Sequence, residues 1–156
     1  MKRKRIILFD DHFFFRESVR IMLEDRNDVE LVGAFEDANN LVNDIISSQP
    51  DLVLMPSLGD IHQDHETIAR EGMRAFKRTT LLGYEIPWNC FQFQQQAYVS
   101  LEPRHLERKC AALKRYESQQ HRNYANEEYI RNVARTHGIV SGRDMAEVFE
   151  VYRWIL

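Results

Sequence analysis

Two histidines three residues apart, His62 and His65, bracket Asp64 directly after a turn-rich stretch, Pro56-Ser57-Leu58-Gly59-Asp60. Two imidazoles and a carboxylate within four residues are a donor set suited to metal-assisted chemistry. The residues before the turn, Asp51 to Met55, are a short apolar run behind Pro50 and read as a strand buried on both faces. Ligands of an open parallel sheet bind beyond the carboxyl ends of its strands, so His62, Asp64 and His65 stand where chemistry is expected. A second set, Asp10-Asp11-His12, closes the first apolar run, Ile6 to Phe9. Adjacent carboxylates repel one another unless a cation neutralises them, which gives Asp10 and Asp11 metal affinity; the plainer alternative is two solvated carboxylates at a strand end.

The elements that must position these groups follow from periodicity. Ile6 to Phe9 is a strand. Phe15, Val19, Met22 and Leu23 recur at helical spacing, which predicts a helix over Phe13 to Asp25. Val29 to Phe35 is a second strand. A second helix opens at Asp37-Ala38-Asn39-Asn40 and turns Leu41, Ile45 and Ile46 inward. Asp51 to Met55 is the third strand. This βαβαβ order specifies a parallel sheet with right-handed crossovers. Beyond the histidines, a helix runs from about His65 to Lys77, a strand from Thr80 to Ile86, and a strand from Ala97 to Leu101. Pro103 starts a helix at its first position, with Leu106, Cys110, Leu113 and Tyr116 on the buried face. Asn126 caps another, with Ile130, Val133 and Ala134 inward and Gly138 at its end. The tail fits a strand through the alternation of Phe149, Val151 and Ile155, and fits a helix through Val148, Phe149 and Tyr152. The expected architecture is one α/β domain over residues 1–156. It is a three-layer sandwich with a mainly parallel sheet in the order 2-1-3-4-5, flavodoxin- or Rossmann-like, with a further strand if the tail forms one.

The totals exclude several classes. At 156 residues the chain suits one domain and is tight for two. The formal net charge of -3 gives no basic face for nucleic acid, and no run approaches transmembrane length. The Lys2-Arg3-Lys4-Arg5 run reads as solvated charge before the first strand rather than as a targeting signal. Cys90 and Cys110 lack metal-ligand spacing and read as reduced thiols of a cytoplasmic protein. His105 and His137 read as solvated helix residues and Trp154 as packing. Trp88 is either a platform for a sugar ring or a cover beside Pro87.

Residues 1–55 resemble the receiver domain of response regulators. The resemblance is carried by Ile6-Ile7-Leu8-Phe9-Asp10-Asp11-His12, Phe15-Arg16-Glu17-Ser18, Val32-Gly33-Ala34 and Gln49-Pro50-Asp51-Leu52-Val53-Leu54-Met55. It implies a Mg²⁺ site at Asp10 and Asp11. It puts the phosphorylated position on Pro56, which has no side-chain oxygen, so phosphoryl signalling is not expected.

Residues 56–156 resemble the carboxyl half of the PIG-L/LmbE family of zinc-dependent de-N-acetylases. The carriers are Pro56-Ser57-Leu58-Gly59-Asp60-Ile61-His62-Gln63-Asp64-His65, Leu82-Gly83-Tyr84-Glu85-Ile86-Pro87-Trp88, Lys114-Arg115-Tyr116-Glu117-Ser118-Gln119-Gln120-His121-Arg122 and Ala146-Glu147-Val148-Phe149-Glu150. The resemblance implies hydrolysis of an N-acetyl amino sugar at a Zn²⁺ ion. His65 is then a zinc ligand, His62 the stabiliser of the oxyanion, and Asp64 the residue that orients a neighbouring histidine. It also places His121 and Glu147 toward the substrate, the plainer alternatives being a surface histidine and a strand glutamate that faces water. The family's remaining ligands and general base come from an amino-terminal His-Pro-Asp-Asp motif. Here Asp10-Asp11-His12 stands in that place, with the histidine after the aspartates. Asp10 then takes the general base's place, Asp10, Asp11, His12 and His65 form the expected metal set, and Asp10, Asp11 and His12 face His62 and His65 across one cleft.

Together the resemblances describe a chimera joined near Met55-Pro56. Three functions follow: an engineered or recombined fold without efficient native activity, a Zn²⁺-dependent deacetylase with a partly rebuilt site, or a receiver-like module. The expected partners are an N-acetyl amino sugar and, if apolar surface is left exposed, a second copy of the chain in a homodimer.

Overall fold

The computed structural model describes residues 3–9, 20, 23, 26–36, 40–115 and 126–155. Six strands and four helices are bounded in them: β1 (Lys4–Phe9), β2 (Val29–Phe35), α1 (Leu41–Ser48), β3 (Leu52–Pro56), α2 (Gln63–Ala75), β4 (Thr80–Tyr84), β5 (Ala97–Ser100), α3 (Pro103–Lys114), α4 (Glu127–Ser141) and β6 (Ala146–Arg153). Arg20 and Leu23 are helical, and most of the helix expected over Phe13 to Asp25 lies outside the described residues. No helix among the described residues is long and apolar enough to cross a membrane.

The fold is α/β, but its sheet structure is mixed rather than mainly parallel. β1 and β2 pair in parallel as a two-stranded sheet. The other four strands run in the order β3-β4-β6-β5, and β5 pairs with β6 antiparallel. The expected order 2-1-3-4-5 fails at two points. The first is between β1 and β3. The Arg5 N–H is taken by the Asp51 side chain at 3.0 Å, and the Arg5 carbonyl accepts from Asp51 N–H at 3.2 Å. A carboxylate thus occupies the donor that a continued ladder would use. The second is the tail, which forms β6 and enters between β4 and β5. β6 has 8 residues and β5 has 4. The longer strand takes the doubly paired position, and the short one is left at the edge.

Two compact units divide the chain. The first is Met1–Met55 with Ile68–Leu82 and Tyr152–Leu156; the second is Pro56–Thr67 with Gly83–Val151. In the first, Val53, Phe76 and Leu81 form the buried cluster, and Ile7, Ile45, Met73 and Tyr152 pack against it. Residues from before and after Met55-Pro56 therefore share this core. In the second, Leu106, Cys110, Ile130 and Ala134 are buried together, flanked by Leu101, Leu113, Tyr129 and Met145.

The helix ends show where local signals held. Pro103 opens α3, and the Glu102 N–H donates to His105 Nδ1 at 3.0 Å, so His105 caps a helix rather than merely facing water. Asn126 caps α4 by accepting the Tyr129 N–H at 2.7 Å. Gly138 does not end α4. The helix runs to Ser141, and Gly142 takes the left-handed cap at φ 68°. Gly138 serves a different need, since a Cβ there would stand 2.6 Å from the Asp144 carbonyl oxygen and 2.7 Å from that of Arg143. Gly138→Ala should therefore destabilise the protein by about 1–3 kcal/mol, reversing the usual gain of roughly 1 kcal/mol for alanine within a helix. A urea midpoint equal to or above that of the parent protein would refute the steric argument.

His137 is buried on α4, not solvated, and burial pushes its imidazole below the usual range. Trp154 is 59% exposed and does not pack in a core.

Candidate functional site

Pro56 ends β3, and Ser57 extends the pairing by donating its N–H to the Tyr84 carbonyl at 2.9 Å. The chain then turns back on itself. Ser57 Oγ accepts the Gly59 N–H at 3.0 Å, and the Asp60 N–H returns to the Ser57 carbonyl at 3.1 Å. The turn leans on the loop after β4. Asp60 and Cys90 form an isolated antiparallel bridge, and the Ile61 N–H donates to the Asn89 carbonyl at 3.1 Å. Only glycine suits position 59, because a Cβ would stand 2.5 Å from the Gln92 carbonyl oxygen.

This turn buries Asp60, which is 2% exposed. Its Oδ1 accepts the His62 N–H at 2.8 Å, and its Oδ2 lies 2.7 Å from His65 Nδ1. An ionised carboxylate can only accept, so His65 Nδ1 carries the hydrogen and Nε2 is left for another partner. A carboxylate on one ring nitrogen is the device that orients a metal-binding histidine. The His62 and His65 ring centroids are 4.6 Å apart, with the planes inclined by 36°. His62 is exposed and His65 half-buried. Asp64 is exposed in the first turn of α2, where a negative charge complements the helix dipole. The bond that orients His65 comes from Asp60 rather than from Asp64.

Asp10, Asp11 and His12 lie outside the described residues, as does His121. Glu147 pairs with Lys109 Nζ at 2.9 Å. Trp88 is 65% exposed and covers no core.

A second polar group lies behind the turn. Glu150 on β6 is buried, and its Oε2 accepts the Ser57 hydroxyl at 2.6 Å. Its Oε1 accepts the Gln94 N–H at 2.9 Å. Burial, and then the negative charge of Glu150, push the Glu85 carboxyl above its ordinary range. The Cys90 thiol is raised chiefly by burial, with Asp60 and Glu85 adding to it, so Cys90 is not an activated nucleophile.

Glu85 gives a pH test with a definite sign. Its folded-state value lies above the ordinary 4.5. Its contribution is fully present below that pH and is lost as pH rises through the raised value. Glu85→Gln, neutral throughout, should gain stability relative to the parent protein between about pH 4.5 and pH 7. Urea midpoints at the two pH values check this, and a constant difference between the proteins would refute it.

Three residues of the group were not among the expected site residues: Ser57, Asp60 and Glu150. Asp60 carried a signal, being a turn aspartate two residues before one histidine and five before the other. Glu150 carried a fainter one, as a charge in phase with Ala146 and Val148 on one strand.

A zinc site needs three or four protein donors. Among the described residues no three His, Cys, Asp or Glu side chains converge to hold a metal. The described residues therefore do not by themselves fit zinc, and no reaction step through the metal is derived.

A scan against protein-family models finds no match, and a search of curated proteins finds none. Solved structures do match. The crystal structure of the zinc-inhibited form of the teicoplanin deacetylase Orf2 superposes with a TM-score of 0.55 at 18% identity, over 89% of this chain and 51% of that one. A deacetylase–bog complex from the teicoplanin biosynthesis pathway superposes with a TM-score of 0.60 at 16% identity, over 87% of this chain and 71% of that one. The fold is similar to that of these deacetylases. The chain spans about half the length of the first of them. The isolated REC domain of RcsB from Salmonella enterica serovar Typhimurium, in the presence of the phosphomimetic BeF3-, gives a TM-score of 0.45 at 17% identity, over 92% of this chain and 93% of that one. The deacetylase likeness is not confined to the part after Met55, because 156 − 55 leaves 101 residues, about 65% of the chain, and the superposition takes in 89%.

Proposed function

We propose that the chain is a recombined α/β protein in which a receiver-like segment is joined to the histidine-bearing part of a PIG-L/LmbE-type de-N-acetylase. It carries one wall of a hydrolytic centre and has no efficient native activity. The observation that supports this reading is the Asp60–His65 hydrogen bond of 2.7 Å beside His62. It holds an imidazole as a metal-binding histidine is held, inside the stretch that resembles the deacetylases. In this reading His65 is the retained ligand, His62 faces the developing oxyanion, and Asp64 lies at the rim. Asp10, Asp11 and His12 replace the family's His-Pro-Asp-Asp motif in altered order. Productive geometry tolerates errors of only about half an ångström, and this reading takes the altered order of donors to be unmatched to it. The ligand class is an N-acetyl amino sugar, and Mg²⁺ is the alternative ion at Asp10 and Asp11. The free thiols Cys90 and Cys110 support a cytoplasmic setting.

The test is acetate release from an N-acetylglucosamine substrate with added Zn²⁺, together with metal analysis of the purified protein and of His65→Ala. The expected result is acetate release indistinguishable from the His65→Ala control. Zinc-dependent release that His65→Ala abolishes would overturn this reading and favour the second one, a working de-N-acetylase. The second reading draws on the same oriented imidazole. A receiver-like role is disfavoured by Pro56, and acyl-phosphate formation with a small phosphodonor would revive it.

A further inference from the structure

Glutamate is rarely buried unless it is paired. Glu150 is 8% exposed, and its two carboxylate oxygens are spent on two different loops. One accepts from Ser57, at the start of the turn that leads to the histidines. The other accepts from the backbone of Gln94, at the end of the loop on which that turn leans. Ser57 Oγ relays the first contact, donating to Glu150 and accepting from Gly59 N–H. The Ser57 carbonyl then receives the Asp60 N–H, and Asp60 reaches both histidines.

We propose that Glu150 is a positioning residue for the histidine loop: its carboxylate fastens Ser57 and Gln94 together, and through Ser57 it aims Asp60 at His65. This deepens the reading of the loop as the candidate site, and it depends on neither metal uptake nor hydrolysis. Burying a charge is costly unless it is fully hydrogen-bonded. A buried carboxylate that joins two loops is one whose removal is felt at the far end of the chain of bonds. Ser57 is wholly buried, so the hydroxyl serves as this relay and not as a nucleophile.

The readout is the Nδ1–H proton of His65, followed by NMR in the intact protein. Bonded to a buried carboxylate, it should appear downfield and exchange slowly. Glu150→Ala should speed its exchange at least tenfold or abolish the signal, while the amide spectrum of the Leu106–Ile130 core stays dispersed. Glu150→Gln keeps an acceptor for Gln94 and a donor for Ser57, which can then accept, and should retain most of the protection. Should Glu150→Ala fail to fold, Ser57→Ala removes only the relay and should show the same loss. An unchanged His65 signal in a folded Glu150→Ala or Ser57→Ala protein overturns the proposal. So does equal loss in Glu150→Gln, which would mark a general effect of charge. Acetate assays do not enter, so failure of the deacetylase reading leaves this result standing.

Discussion

Replacing Asp60 by alanine should remove about 2 kcal/mol of stability and lower the melting temperature by roughly 4–8 °C. The buried carboxylate satisfies His62 N–H and His65 Nδ1 together. Its loss leaves both donors without their acceptor inside a turn. Full burial of the two would cost more, but His62 is exposed and His65 half-buried, so water recovers part of the loss. Asp60→Asn separates geometry from charge. A single amide oxygen can take the His62 N–H, and the amide NH2 then faces His65 Nδ1. Two donors cannot meet, so His65 must move its hydrogen to Nε2, and the nitrogen available to a metal becomes the wrong one. Imidazole ¹⁵N correlations distinguish the two tautomers. The expected result is the Nδ1–H form in the parent protein and the Nε2–H form in Asp60→Asn, with most of the stability kept. The same tautomer in both proteins would show that Asp60 does not set the ring.

The second large effect is expected at Leu81. It is wholly buried among Val53 and Phe76, with Ile7, Ile45, Met73 and Tyr152 around them. Truncation to alanine should cost about 3 kcal/mol, from lost transfer energy and the cavity left behind. The informative part is where the loss spreads. Ile7, Ile45 and Val53 precede Pro56, whereas Met73, Phe76, Leu81 and Tyr152 follow it. If the two stretches share one cooperative core, Leu81→Ala should accelerate hydrogen exchange at β1 as much as at β4. Protection at β1 that is untouched while β4 loosens would mean that the segments fold separately.

Much of the local structure was legible because it depends on near neighbours. The apolar runs at Ile6–Phe9 and Asp51–Met55, Pro103 at a first helical position and the Asn126 cap each rest on contacts within a few residues. The end of α4 was misread for a definable reason. Glycine after a helical stripe commonly marks a stop, but at Gly138 the missing side chain admits the carbonyls of Arg143 and Asp144 against the helix. The tail fits both a strand and a helix in sequence, and the structure makes it a strand. Phe149, Val151 and Ile155 suggest one inward face, yet Ala146, Val148 and Glu150 occupy it. A shift of one residue exchanges every side chain between the two faces. The face holding a glutamate prevails because Ser57, 93 residues away, and Gln94, 56 away, supply its hydrogen bonds.

The residues alone determined that the chain is α/β and that a histidine loop follows a buried strand. The tertiary structure alone decided that β6 lies between β4 and β5, that Asp60 rather than Asp64 grips His65, and that Glu150 stands behind them. Helical and strand periodicities are written in neighbouring residues. Which carboxylate can be buried is decided by donors that only the folded chain brings within reach.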